Sequence, residues 1–222
     1  MVEGRAGQSS TTCRWAVGIT GASGSIYAIR LCEVLLQAGI HLHLVITEAG
    51  WRVLKEELGW ETTRRQQALE RKFGFYLESG ALTFHSNADI GAAIASGSFR
   101  MEGMIVIPCS MGTLSSIAHG TSNNLLTRAA DVMLKEGRKL LLVPRETPLH
   151  AIHLENMLKL ARLGVRIIPA MPAFYYQPQS MDEMIDFMVG KVLDNMPVDH
   201  DLYRRWGDEQ DGQQSPDHHR TY

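Results

Sequence analysis

Cysteine is scarce in this chain of 222 residues: Cys13, Cys32 and Cys109 are the only three, and none form a C-x-x-C pair. An odd, scattered set excludes a disulfide framework and a cysteine zinc site, and points to a reducing, cytoplasmic setting. The nine histidines form no H-E-x-x-H or other ligand spacing, so no metal is expected. No apolar run approaches the ~20 residues that cross a bilayer. The opening MVEGRAGQSSTT lacks the apolar centre of a signal peptide. Net charge is −2 with both signs interspersed, which leaves no basic tract for nucleic acid or an anionic membrane. Internal repeats are missing as well.

What remains is enough for one large α/β domain, with 45% hydrophobic residues to build its core. Residues 1–13 read as a disordered leader, 14–206 as the domain, and the polar 207–222 as a disordered tail. Strand-like and helix-like segments alternate, the pattern of a doubly wound parallel sheet. Strands are expected at 15–20, 41–47, 104–107, 140–143 and 165–168, with a strand fragment at 82–85. Helices are expected at 25–38, 49–58, 123–136, from Thr147-Pro148 to Leu163, and after Ser180, whose partner Glu183 completes a capping box. Ser122 is the expected cap of the 123–136 helix. Between 60 and 100 the periodicity is weak.

In an open parallel sheet, ligands bind beyond the carboxyl ends of the strands. The residues there are rich in hydroxyls and glycine and poor in histidine. Gly21-Ala22-Ser23-Gly24 follows the first strand and can turn bare N–H groups toward an anion at a helix start. Ser110-Met111-Gly112-Thr113 repeats that arrangement after the 104–107 strand. Two such turns can embrace a mononucleotide, one on its phosphate and the other on its ring or ribitol. Each can equally be a simple helix cap.

A dinucleotide is disfavoured. Glu48 stands where a ribose-binding acid would, but Tyr27 fills the place of the third glycine and no Tyr-x-x-x-Lys occurs. Arg145-Glu146 ends the 140–143 strand; its guanidinium can grip a phosphate and its carboxylate can move a proton, or the two can form a salt bridge. Arg128 and Lys135 lie two turns apart on one helix, with Asp131 between, as a solvated charged face would. Cys109 with His119 makes a poor nucleophilic pair, since no base is placed by the spacing.

Several longer stretches carry more information: GITGASGSIYAIRL, HLVIT, IASGSF, GMIVIPCSMGTLSSIAHG, LLTRAADVMLKEGRKLLLVPRETPL and PAMPAFYYQPQSMDEMID. Together they resemble the flavin prenyltransferases of the UbiX type, including the small subunits associated with phenolic-acid decarboxylases. The resemblance implies a flavodoxin-like (Rossmann-like) fold and a homo-dodecamer with sites at subunit interfaces. It implies reduced FMN as the flavin, dimethylallyl phosphate as donor to flavin N5 and C6, and a UbiD-type decarboxylase as receiver of the prenylated product.

Matched by motif, Gly21, Ala22, Ser23, Thr47, Ser110, Met111, Gly112, Thr113 and Arg145 would hold FMN, with Ser23 near N5. Tyr175 and Lys191 would hold the prenyl phosphate. Glu57, Arg128, Lys135, Glu146 and Trp206 match further active-site positions, so the apparent solvated face becomes a set of phosphate ligands. Departures remove positive charge: Gly112, Gln177 and Glu48 stand where the family often has lysine or arginine, and Tyr176 replaces a histidine. Two other readings stay open. One is a non-catalytic flavin-binding subunit. The other is an FMN-dependent cysteine decarboxylase, although Pro169-Ala170-Met171-Pro172 lacks the asparagine of that family's motif.

Overall fold

A computed structural model describes residues 13–205. The expected tail and Trp206 lie outside them, as does the expected leader save Cys13, whose carbonyl accepts from the His41 N–H at 3.0 Å. Six strands form one parallel sheet: β1 (Arg14–Ile19), β2 (His41–Ile46), β3 (Leu82–Ser86), β4 (Gly103–Cys109), β5 (Lys139–Pro144) and β6 (Arg166–Ile167). Their order is β3-β2-β1-β4-β5-β6. The order reverses between β1 and β4, so the ligand crevice of this doubly wound fold lies there.

β1, β2 and β4 read as near-continuous apolar runs because both faces are covered; every residue of β4 is buried. On one face Ala16, Val45, Met104, Val106, Leu140 and Leu142 pack into a single cluster. Helices α4 (Met111–Ala118), α5 (Leu125–Lys135) and α6 (Ala151–Arg162) contribute Leu114, Ile117, Leu126, Ala129, Met133 and Leu160 to it. Helix α1 (Ser25–Gln37) buries Ala28, Leu31, Cys32 and Leu35. α2 (Glu48–Leu58) and α3 (Arg65–Glu78) complete the crossover to β3.

Two helix starts differ from the expected caps. α5 is capped by Asn124, not Ser122: the Asn124 Oδ1 accepts from Thr127 N at 3.0 Å. Asn87, from the end of β3, takes the Leu125 and Leu126 N–H groups at 2.9 and 3.0 Å, a tertiary contact that fixes where the helix begins. α6 starts at Ala151 under a His150 cap rather than at Thr147-Pro148, and Thr147 and Leu149 line a cavity instead. The weakly periodic region resolves into α3, a full edge strand β3 and a single 3-10 turn at Ala93–Ala95. β6 is shorter than the expected 165–168 strand.

The described residues from Pro172 to Arg205 form a second compact unit around α7 (Met181–Leu193). Ser180 Oγ accepts from Glu183 N at 3.2 Å, while Glu183 reaches back to Gln179 N at 2.8 Å, so the expected capping pair is present. Gly190 lets Tyr203 lie against the helix; a Cβ there would meet the ring at 2.4 Å. Among the described residues, no helix is long and apolar enough to cross a membrane.

Candidate functional site at the sheet's switch point

The turn after β1 does not offer its helix N-terminus to an outside anion. Gly24, at φ 104°, swings the chain into α1, and the Glu57 carboxylate at the far end of α2 fills the resulting pocket of donors. It accepts from Gly24 N at 3.1 Å, Ser25 N at 2.9 Å and Ser25 Oγ at 2.7 Å. Burial acts to raise the Glu57 pKa, but the hydroxyls of Ser23 and Ser25 and the two backbone donors outweigh it and hold the carboxyl below its usual range. An internal carboxylate therefore takes the Gly24 and Ser25 N–H groups of this turn. Gly21 is glycine for a packing reason, since a Cβ would sit 2.4 Å from the Ala49 Cβ on α2.

Across the crevice, Ser110 caps α4 by accepting from Thr113 N at 3.3 Å, and its own hydroxyl donates to Thr113 Oγ1 at 3.0 Å. The N–H groups of Met111 and Gly112 lead this helix and have no intrahelical acceptor. Nothing lies within 4 Å of a Cβ placed on Gly112, so a ligand can approach that backbone closely. Thr20, buried at the end of β1, hydrogen-bonds both Pro108 O and Ser110 N. Cys109 is wholly buried, which pushes its thiol up to about 12, and His119 is turned to the Ser115 carbonyl at 2.8 Å. No thiolate chemistry is built there.

Arg145 bridges the two walls. Its Nε donates to the Ser23 carbonyl at 3.3 Å, while its backbone N donates to Cys109 O at 3.4 Å. Tyr27 completes this group: burial raises its phenol, Arg145 lowers it and Glu57 raises it, so all three share one neighbourhood. Glu146 accepts from Thr147 N at 3.0 Å. Arg145 and Glu146 open onto a cavity of about 270 Å³ whose other walls include Leu149, Met157, Pro169 and Met171. Thr47 caps α2 by accepting from Gly50 N at 3.0 Å, which leaves its hydroxyl proton free for an anion.

One expected site residue lies at the other end of the strands. Lys135 ends α5 and pairs with Glu136. It stands over the loop before β4, where a Cβ on Gly97 would lie 2.7 Å from its Nζ. Arg138 ties the same loop through the Phe99 and Gly97 carbonyls at 2.7 and 2.6 Å, and Ser96 and Ser98 link hydroxyls at 2.9 Å. That loop feeds the start of β4, so it belongs to the opposite edge of the sheet from Arg145. The six residues of β5 between the two edges span roughly 20 Å. Arg128, in the first turn of α5, pairs with Asp131 at 3.6 Å, with both side chains part-exposed.

In the second unit, Tyr175 packs edge-on to Tyr176 and Phe187. Lys191 donates to Asp194 at 2.9 Å and to Tyr203 OH at 3.3 Å. Its amine is raised above its ordinary value, chiefly by the Asp194 bond. Asp194 also accepts from Tyr203 OH at 2.5 Å, His200 at 3.0 Å and Arg205 at 3.0 Å. Sequence reasoning passed over Asp194 because nothing in its local pattern separates it from an ordinary helix end.

Residues 3–195 match the flavoprotein family. A flavin prenyltransferase UbiX of Halalkalibacterium halodurans is 56% identical over 197 residues, 89% of this chain and 95% of its own length. The chain belongs to the UbiX flavin prenyltransferase family. Two solved UbiX-type structures agree in fold. AnUbiX (PadA1), crystallised with FMN and dimethylallyl pyrophosphate, superposes with a TM-score of 0.78 at 39% identity, covering 87% of this chain and 97% of that one. A dodecameric FMN-dependent UbiX-like decarboxylase of Escherichia coli O157:H7 gives 0.78 at 42% identity, covering 87% and 98%. The flavodoxin-like, doubly wound sheet is thus the UbiX fold. The departure at Gly112 falls on open backbone at the α4 end of the crevice, where an added Cβ would meet nothing within 4 Å.

Proposed function

We propose that this protein transfers a dimethylallyl group from dimethylallyl phosphate to N5 and C6 of reduced FMN, and that a UbiD-type decarboxylase uses the product. The observation that carries this reading is the convergence of Ser23, Glu57 and Arg145 at the β1/β4 crevice, beside a mainly apolar cavity sized for a small prenyl group. The residues fit a flavin mononucleotide. The leading N–H groups of α4 and the Thr47 hydroxyl can take its polar atoms, and the open backbone at Gly112 admits a flat ring.

FMN supplies the electron-rich N5 and C6 positions that accept the prenyl group. Departure of phosphate from an allylic ester builds positive charge on the hydrocarbon and negative charge on the leaving group. A cation such as Lys191 stabilises the leaving phosphate, most strongly where water is excluded. Aromatic faces such as Tyr175 stabilise the allylic cation. Glu57 fixes the Ser23 turn, so Ser23 presents its hydroxyl at a set position. Glu146 is the carboxylate nearest the cavity and the group assigned to move the ring proton.

Lys135 and Arg145 lie on opposite edges of the sheet, so a site that uses both takes them from two subunits. A homo-oligomer, a dodecamer in this proposal, supplies that arrangement. Its setting is proposed to be the cytoplasm, given the three free cysteines.

Purified protein incubated with reduced FMN and either dimethylallyl phosphate or the pyrophosphate should yield an extracted flavin heavier by one prenyl unit with the monophosphate. A flavin of unchanged mass with both donors, beside an active relative, overturns the assignment. Glu146→Gln should keep FMN bound yet abolish the mass gain; continued prenylation removes Glu146 from the mechanism.

A further inference from the structure

The crevice assigned to FMN is bounded by two loops, and one buried hydroxyl ties them together. β1 and β4 pair from Trp15 with Gly103 to Gly18 with Val106, and there the ladder stops. β4 then passes through Ile107-Pro108, and its register with β5 breaks between Val106 and Cys109. Proline has no N–H to continue a ladder. Thr20 takes over at that gap. Its N–H donates to Pro108 O at 3.3 Å, its Oγ1 donates to the same carbonyl at 2.7 Å, and its Oγ1 accepts from Ser110 N at 2.8 Å.

The bond pair needs a group that donates and accepts at once, which among small side chains means a hydroxyl. Thr20 is 1% exposed, so water does not compete for either partner. Ser110 in turn caps α4 through Thr113, so the hydroxyl of Thr20 sets where the leading N–H groups of α4 stand. Three residues along the chain lies Ser23, on the opposite wall, held by Arg145 and Glu57.

We propose that Thr20 is a positioning residue for the flavin: its hydroxyl fixes the separation of the Ser23 and Ser110 walls. The proposal rests on FMN occupying this crevice. Thr20 itself touches no reacting atom. Thr20→Val keeps the shape and removes both side-chain bonds, whereas Thr20→Ser keeps both.

The test compares FMN dissociation constants by flavin fluorescence, KM and kcat for prenyl transfer, and the melting temperature of the FMN-free protein. Thr20→Val should weaken FMN binding about tenfold or more and raise the KM for FMN, while Thr20→Ser stays within about twofold of the wild type. A valine variant that melts earlier but binds FMN with wild-type affinity and an unchanged KM overturns the proposal, because the hydroxyl is then only structural. If valine does not fold, Thr20→Cys decides. An affinity between those of serine and wild type on one side and no binding on the other supports the proposal, and wild-type affinity overturns it. A wild-type protein that binds no FMN overturns the assignment of the crevice, and the role of Thr20 with it.

Discussion

Glu57 shows how one side chain can redirect a motif. A glycine turn before a helix is the pattern of an anion site, yet here the anion is internal, and its donors are the backbone of Gly24 and Ser25. Glu57→Gln leaves one acceptor oxygen and aims an amide NH₂ at groups that are themselves donors. The expected cost is about 1–2 kcal/mol of stability at neutral pH. The bonds hold the Glu57 pKa below that of the unfolded chain, so its contribution is present above the unfolded value near 4.5 and is lost as pH falls through the folded value. The melting gap between wild type and Glu57→Gln should therefore narrow on acidification; a gap that stays constant shows that the charge is not what stabilises the turn. Because Ser23 belongs to the same network, the variant should also prenylate more slowly while FMN still binds.

At the scale of elements, β2 and β3 carry a second titratable feature away from the crevice. His43 on β2 bonds His85 on β3 ring to ring at 2.9 Å, stacks on His41, and meets the Phe99 edge. Its Nε2 is buried with no partner among the described residues. Burial, then the neighbouring His85, His41 and Arg14, lower its pKa to about 4, so it folds neutral. A histidine near 6.5 when unfolded and near 4 when folded contributes fully above pH 6.5 and loses that contribution as pH falls toward 4. The contribution is about 3 kcal/mol at most. His43→Phe should flatten the fall in melting temperature between pH 6.5 and 4; an unaltered slope shows that the acid sensitivity lies elsewhere. The helix starts belong to this scale too. Asn124 and Ser122 are both good caps by residue type, and only Asn87, brought over from β3, decides between them.

For the whole molecule, the decisive fact is that the proposed site residues do not gather in one chain. Ser23, Glu57, Ser110, Arg145 and Glu146 crowd the carboxyl edge of the sheet, while Lys135 stands with Ser96 and Ser98 at the amino edge. Co-expressed Lys135→Ala and Arg145→Ala chains, each inactive alone, should together recover about a quarter of wild-type activity, because random assembly leaves that share of interfaces with both native residues. No recovery in mixed oligomers of confirmed composition means that each subunit works with its own residues alone.

Much of this was legible in the sequence. Mostly apolar runs of four to seven residues marked the strands β1, β2, β4 and β5, because strands covered on both faces are largely apolar. The crevice loops followed, since a parallel sheet always presents its ligands at the carboxyl ends. β3 and α3 were blurred, because an edge strand such as Leu82–Ser86 is only partly covered and needs no strong pattern. The sequence by itself determined the parallel sheet, the two hydroxyl-bearing turns and the Arg145-Glu146 strand end, all of which depend on neighbours close along the chain. Tertiary structure alone decided that Glu57 fills the first turn, that Thr20 staples the second, and that Lys135 lies across the sheet from Arg145. Each of these joins residues separated by 33, 90 or more positions, or sets them on opposite edges, and no local spacing records such a meeting.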